Sequence, residues 1–331
     1  MLRIFHNTTY DFIRWWRVAV GLTVAFIAIG LGSLALKGMN YSIEFTGGTL
    51  KQLNFKIPID ASQIRIAMTN AGFRDAEIQQ FGSPRDYTVR FRGAEEVAAQ
   101  SAGAELVSKK VDSVLFSAFG QQNVTVLRTE AISATVGSEL KRNAVIAVLL
   151  SFLITLVYLA IRFEWRFGLA AVIATGHDVF TTLAFVKLMH LEISLTVVAG
   201  LLTVLGYSLN DTIIIFDRVR EDLRKGRKET LYQTLNRGIN ETLPRSILTH
   251  ATTAAATLAL LLFAGEVIRP FAWVMLFGIV TGTFSSVYIA GPVLIWIEHK
   301  YPRKTSAPAW KASPTATPTS RTKPSTATAT R

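Results

Sequence analysis

The sequence predicts an α-helical polytopic membrane protein: six transmembrane helices with one exported ferredoxin-like α+β domain between helices 1 and 2. Three observations predict it. Half of the 331 residues are apolar, and they fall into long blocks. Six blocks approach or reach the roughly 20 residues that cross a bilayer. The one long interval between blocks, residues 37–142, alternates strand-like and helix-like periods.

The spans read as 18–36, 143–162, 167–188, 193–216, 246–264 and 271–297. The first is too long for a cleaved signal and has no convincing small-residue cleavage site. Residues 1–17 form an N-terminal segment and 217–245 a basic connection. Residues 298–331 form a tail rich in Pro, Ala, Ser and Thr that cannot bury enough apolar surface to fold.

The formal charge is +12, but its placement argues against nucleic acid. Eight basic residues lie between Arg218 and Arg245, and seven follow Ile297. Arg3, Arg14 and Arg17 precede the first span, and Arg162 and Arg166 separate the second from the third. Short loops rich in Lys and Arg face the cytoplasm. Both termini are therefore expected there, in a bacterial inner membrane, with 37–142 exported. The absence of cysteine excludes disulfides, thiolate metal sites and thiol nucleophiles.

Within the exported interval, "YSIEFTGGTLKQLNFKI" alternates like an edge strand broken at Gly47-Gly48. "ASQIRIAMTNAGF" has helical spacing and stops at Gly72. "AEIQQFG" and "DYTVRFR" read as strands, the segment from Ala94 to Phe119 as a helix, and "QQNVTVLRTEAIS" as a closing strand. The β-α-β-β-α-β order is that of a ferredoxin-like sandwich. Residues 132–143 read as a helix leading into the second span.

The ionisable residues inside the spans carry the chemistry. A carboxylate in hydrocarbon costs several kcal/mol or takes up a proton. Asp211 lies in the fourth span, and Arg245 begins the fifth at a matching depth. Two readings of a pair stay open: a static lock between helices, or a proton carrier whose affinity swings as Arg245 approaches or leaves. Tyr207 and Ser208 lie one turn before Asp211, and with Thr212 they form either a short water wire or helix-packing contacts; Gly200 and Gly206 read as packing residues. Asp178, next to His177, and His250 are further proton-handling candidates, with structural hydrogen bonds at least as good a reading. The cluster Asp217, Arg218, Arg220, Glu221 and Asp222 reads as a solvated helix end. No phosphate loop, nucleophile elbow, zinc pair or dinucleotide fingerprint is present. No catalytic or metal site is expected.

Several segments resemble the SecD/SecF protein-export family. They are "YSIEFTGGTL" with Glu44, Phe45, Thr46, Gly47 and Gly48, "GHDVFTTLAF", "GYSLNDTIIIFDRVRE", "NETLPRSILTHATTAAATLALLLFAG" and "GIVTGTFSSVYIAGPVLIW". The likeness runs from about Tyr10 to Trp296, and six spans with one modest exported loop fit the SecF type. The resemblance implies the resistance-nodulation-division fold and a SecD partner beside the SecYEG channel, with YajC and YidC as further associates. It also implies unfolded preprotein as substrate and protons as coupling ion, with no other cofactor and no enzymatic activity. It places Asp211 on the family's proton-linked carboxylate, Arg245 on its partner and Asn210 beside them. Glu44 stands where aspartate is common. Half of a small-molecule efflux transporter of the same fold, and a non-conducting scaffold for the channel, are the alternatives.

Overall fold

The apolar blocks become helices that outrun the blocks themselves. The computed structural model describes residues 8–302 apart from 75, 81–82, 92–100, 226–228 and 266, and apart from the side chains of 101–105. The first residues, the start of the helix expected from residue 94 and the tail past 302 lie outside the described residues. Helix α1 is Trp16–Lys37 and α2 a single turn, Ile43–Thr46. Strand β1 is Gly48–Phe55, α3 Ala61–Asn70, β2 Glu77–Gln80, β3 Asp86–Phe91, α4 Ser101–Phe119 and β4 Val124–Ile132. Then come α5 (Ala134–Arg162), α6 (Trp165–Leu188), α7 (Leu195–Arg224), α8 (Leu231–Phe263) and α9 (Arg269–Ser285). A π turn, Ser286–Ala290, joins α9 to α10, Gly291–Lys300. Among the described residues, six helical segments are long and apolar enough to cross a membrane, as expected.

Polar side chains cap the starts of α5, α7 and α8. Ser133 caps α5 through Val136 N at 3.3 Å, and Ser194 caps α7 through Val197 N at 3.3 Å. Thr230 and Gln233 form a capping box on α8. The π turn precedes Pro292, which has no N–H for the carbonyl four residues back, so the helix widens there.

The sheet order is β2-β3-β1-β4, all antiparallel, with Thr49 opposite Phe91 and Gly48 opposite Ile132. This is the expected ferredoxin-like topology. The expected edge strand is instead central, paired on both sides, because alternation reports which face is buried and not how many neighbours a strand has. Leu53, Phe55, Tyr87, Val89 and Phe91 pack on Ile64, Met68, Val111 and Leu115 of α3 and α4. Lys51 is 1% exposed on that face and is held by Asp112 at 2.6 Å.

In the helical bundle, α6, α7 and α9 carry most of the buried residues, whereas α1 and α5 bury two each. Glycines set how closely α7 and α9 approach. A Cβ on Gly278 would stand 2.1 Å from Val204, and one on Gly282 would stand 2.9 Å from Ser208. Gly200 meets Val274 as a packing glycine, but Gly206 has open space around its missing Cβ.

The connection 217–245 is helical almost throughout, since α7 continues to Arg224 and α8 begins at Leu231. Asp222 is buried there, and Arg237 of α8 grips its Oδ2 at 3.0 and 3.1 Å. The expected solvated helix end is thus also an interhelical clamp, reinforced by Arg218–Glu241 and by Gly238 against Val219. Arg237→Ala leaves the buried Asp222 carboxylate only the longer approaches of Lys225 at 3.7 Å and Arg218 at 3.9 Å, and is expected to cost about 1–3 kcal/mol, read as a lowered melting temperature. Arg220→Ala, which removes the Arg220–Asp217 pair beside a half-exposed carboxylate, is expected to cost less than about 1 kcal/mol.

The N-terminal segment docks on the same end of α8. Tyr10 and Asn240 exchange two hydrogen bonds at 3.0 and 2.8 Å, and Asp11 accepts from Tyr232 at 2.5 Å and Asn236 at 2.8 Å. The Tyr232 hydroxyl, with help from Asn236, holds the Asp11 carboxyl below its ordinary value of 3.8. A depressed folded-state value gives stability that is present above 3.8 and lost as pH falls through the lower one. Protonating Asp11 loosens this one tie while the Tyr10–Asn240 bonds remain, so protease cleavage of the segment is expected to quicken modestly as pH falls below 3.8.

Candidate functional site

Asp211 lies about 24 Å along α7 at 1.5 Å per residue. It is 3% exposed. Its helical period places it toward α8, where Ser246 Oγ donates a hydrogen bond to its carboxylate. One turn back on α7, Tyr207 lays its ring against His250, which is one turn beyond Ser246 on α8 (centroids 5.3 Å apart). His250 Nδ1 is 2.9 Å from Thr283 Oγ1 of α9. Thr212 Oγ1 meets Ser286 Oγ at 3.0 Å, and Ser286 in turn donates to the Gly282 carbonyl at 2.9 Å. The carboxylate is thus enclosed by three helices, and the polar groups nearest to it are hydroxyls.

A second buried carboxylate lies beside the first. Asp178 of α6 is fully buried. Ser208 of α7 donates to its Oδ2, Ser285 donates to the same oxygen at 2.7 Å, and His177 Nδ1 lies 3.1 Å from Oδ1. Ser208 precedes Asp211 by one turn, so one face of α7 serves each carboxylate: Ser208 toward Asp178, and Tyr207 and Asp211 toward α8. Tyr207 and Ser208 therefore do not make one common wire.

Two expected neighbours are elsewhere. Arg245 does not meet Asp211: it is exposed and has no ion pair among the described residues. Successive residues on a helix point about 100° apart, so seating Ser246 at the carboxylate turns Arg245 outward. Asn210 is likewise exposed, turned away from Asp211 by the same geometry. Sequence reasoning missed Ser246, Ser285 and Ser286. The signal for the last two was a serine pair in an apolar helix, three residues after Gly282.

The glycine motif sits at the domain end of the bundle. Glu44 Oε2 accepts from Leu195 N, the first residue of α7, at 2.5 Å. Phe45 is buried, and Thr46 Oγ1 donates to the Ser42 carbonyl at 3.2 Å. Gly47 ends the turn at φ 71°, ψ 170°, and Gly48 opens β1 at φ 123°. Among the described residues no group of three His, Asp or Glu side chains could hold a metal ion.

Six candidate spanning helices, two buried carboxylates among hydroxyls and one α+β domain together define a polytopic membrane protein. The comparisons give the family. Residues 111–300 match the model "Protein export membrane protein SecD/SecF, C-terminal", and residues 32–56 match "SecD/SecF GG Motif". The chain is 60% identical to the protein translocase subunit SecF of Gemmatimonas aurantiaca, over 97% of this chain and 98% of that one. It is 38% identical to the SecF of Escherichia coli O157:H7, over 86% and 87%. The crystal structure of SecDF from Thermus thermophilus, described as a translocon-associated membrane protein, superposes with a TM-score of 0.77 at 34% identity. That superposition covers 88% of this chain but 39% of the longer SecDF chain. The chain belongs to the SecD/SecF family of protein-export membrane proteins, and the relatives it matches along most of their length are SecF subunits.

Proposed function

We propose that this chain is the SecF half of a proton-driven export motor, working with SecD beside the SecYEG channel of a bacterial inner membrane. The single observation that carries this reading is Asp211. It is a buried carboxylate midway along a spanning helix, held by a hydroxyl and not by a cation. A hydroxyl serves a carboxylate and a carboxylic acid alike, so Ser246 leaves the site free to change its proton. Arg245 is one residue away on α8. Turning α8 would exchange Ser246 for Arg245 at the carboxylate and favour its ionised form. Protonation selects one helix arrangement, deprotonation the other, and the exported domain follows.

The second half is expected on the polar stripe that this fold leaves exposed. Thr203 and Asn210 on α7, and Arg245, Thr249 and Thr252 on α8, all lie open. Polar groups at membrane depth are costly against lipid and are ordinarily met by another protein. In this reading both termini are cytoplasmic and the α+β domain is exported, as the positive short loops require.

The test uses inverted vesicles containing SecD, the channel and this chain. A preprotein is stalled midway, ATP is removed and a proton gradient is applied. Gradient-driven completion with Asp211 intact supports the motor. Completion that ignores the gradient would leave a scaffold, and gradient-driven movement of small amphiphiles instead would favour an efflux half-transporter.

A further inference from the structure

A carboxylate of the glycine motif reaches from the α+β domain to the first turn of α7. Before the glycine motif, the chain pairs with the α6–α7 connection as a short parallel bridge at Tyr41 and Ile193. Ser42 N donates to the Ile193 carbonyl at 2.9 Å, and Ile193 N donates to the Asn40 carbonyl at 2.7 Å. The turn α2 then projects Glu44 over the start of α7. The first N–H groups of a helix have no partner within it and carry the positive end of its dipole. In α7, Ser194 satisfies Val197 N and Glu44 satisfies Leu195 N. Ser42 Oγ, 3.3 Å from Glu44 Oε2, helps to orient the carboxylate.

The other side of the same turn is wedged against α5. A Cβ on Gly137 would stand 2.8 Å from Gly47 N, and one on Gly47 would stand 2.8 Å from Ala134 Cα. The turn runs directly into β1, the central strand, and β1 pairs with β4, which runs through Ser133 into α5. Turn, sheet and α5 therefore form one packed unit. The other charged groups at the joint include Arg90, paired with Glu192, Arg128, paired with Glu130 in the cavity that Glu44 also lines, Lys187, which donates to the Gly38 carbonyl, and Lys141, 4.1 Å from the Tyr41 ring. Helix α5 of this unit packs on α7 directly, and the Glu44–Leu195 bond adds a polar tie to the first turn of the helix that bears Asp211.

We propose that Glu44 is a positioning residue: a strut that transmits displacement of α7 at Asp211 to the α+β domain. This rests on the proton-driven reading above. Helix α7 is continuous and contains no proline, so a shift of its Asp211 segment moves its first turn, and Glu44 carries that shift into the packed unit.

The bond can be weakened from one side and removed from the other. Glu44→Gln keeps the shape and an acceptor oxygen but discards the charge. Leu195→Pro removes the donor alone: proline is accepted at the first helical position, and Ser194 before it is already extended at φ −118°, ψ 172°. The chain has no cysteine. Cysteines introduced at exposed Thr125 and His190 therefore accept spin labels specifically in the full chain assembled with SecD in vesicles. The gradient-induced change in the distance between the labels is the readout. Leu195→Pro is expected to shrink the shift in the posture ratio roughly tenfold, the weight of one charge-assisted hydrogen bond, and Glu44→Gln, which keeps a neutral bond, to shrink it less. The double variant is expected to match Leu195→Pro alone, with assembly retained and melting temperature lowered by no more than a few degrees. If both variants respond as the parent does while Asp211→Asn abolishes the response, the strut is overturned and the proton-driven reading stands. If the parent itself does not respond, both fall.

Discussion

Asp211→Asn is expected to leave the protein folded and assembled, and to reduce gradient-driven completion of a stalled preprotein to the level seen without a gradient. Asparagine occupies the same volume and still accepts from Ser246, so stability should change by no more than about 1 kcal/mol. What is lost is this carboxyl's ability to bind and release a proton. Asp178 is saturated by Ser208, Ser285 and His177. Ser246→Ala is expected to be intermediate, because it keeps the titratable group and removes only its hydroxyl partner. Melting temperature and gradient-driven completion, measured on the same preparations, separate these outcomes.

Gly47→Ala is expected to be the most damaging small substitution in the joint between the domain and the bundle. Its φ of 71° with ψ of 170° is a conformation essentially confined to glycine. The new methyl would also stand 2.8 and 2.9 Å from backbone atoms of Ala134, where no side chain can swing aside. Backbone strain of about 1–3 kcal/mol and overpacking of about 1–3 kcal/mol combine to a loss of about 2–6 kcal/mol. Gly72→Ala is the control. Its φ is 93°, but nothing lies within 4 Å of the added methyl, so only the conformational part applies. Thermal unfolding of the two variants should differ by several degrees.

Much of this was legible in the sequence. Span existence depends on the length of an apolar run, a property that tertiary structure cannot change, and all six spans were visible. The domain's element order was visible for a related reason: periods of 2 and 3.6 are local. Helix ends were not, since hydropathy marks where lipid lies and not where the backbone stops. That is why α7 and α8 extend through the stretch that read as a connection. The position of β1 was hidden because pairing is non-local.

At the site, Asp211 announced itself, but its partner did not. Arg245 matched it in depth, yet depth says nothing about azimuth, and the neighbouring Ser246 faces the carboxylate instead. Asn210 was misplaced by the same 100°. The Asp178 node joins residues 30 and 107 positions apart, and no local pattern could have assembled it.

The most direct test of the proton-carrier claim is infrared difference spectroscopy on the chain assembled with SecD, comparing the two directions of an imposed proton gradient. A protonated-carboxyl band should appear and vanish with gradient direction, disappear in Asp211→Asn, and shift in Ser246→Ala. A spectrum in which no carboxyl changes its proton, or a band that persists in Asp211→Asn, would contradict it.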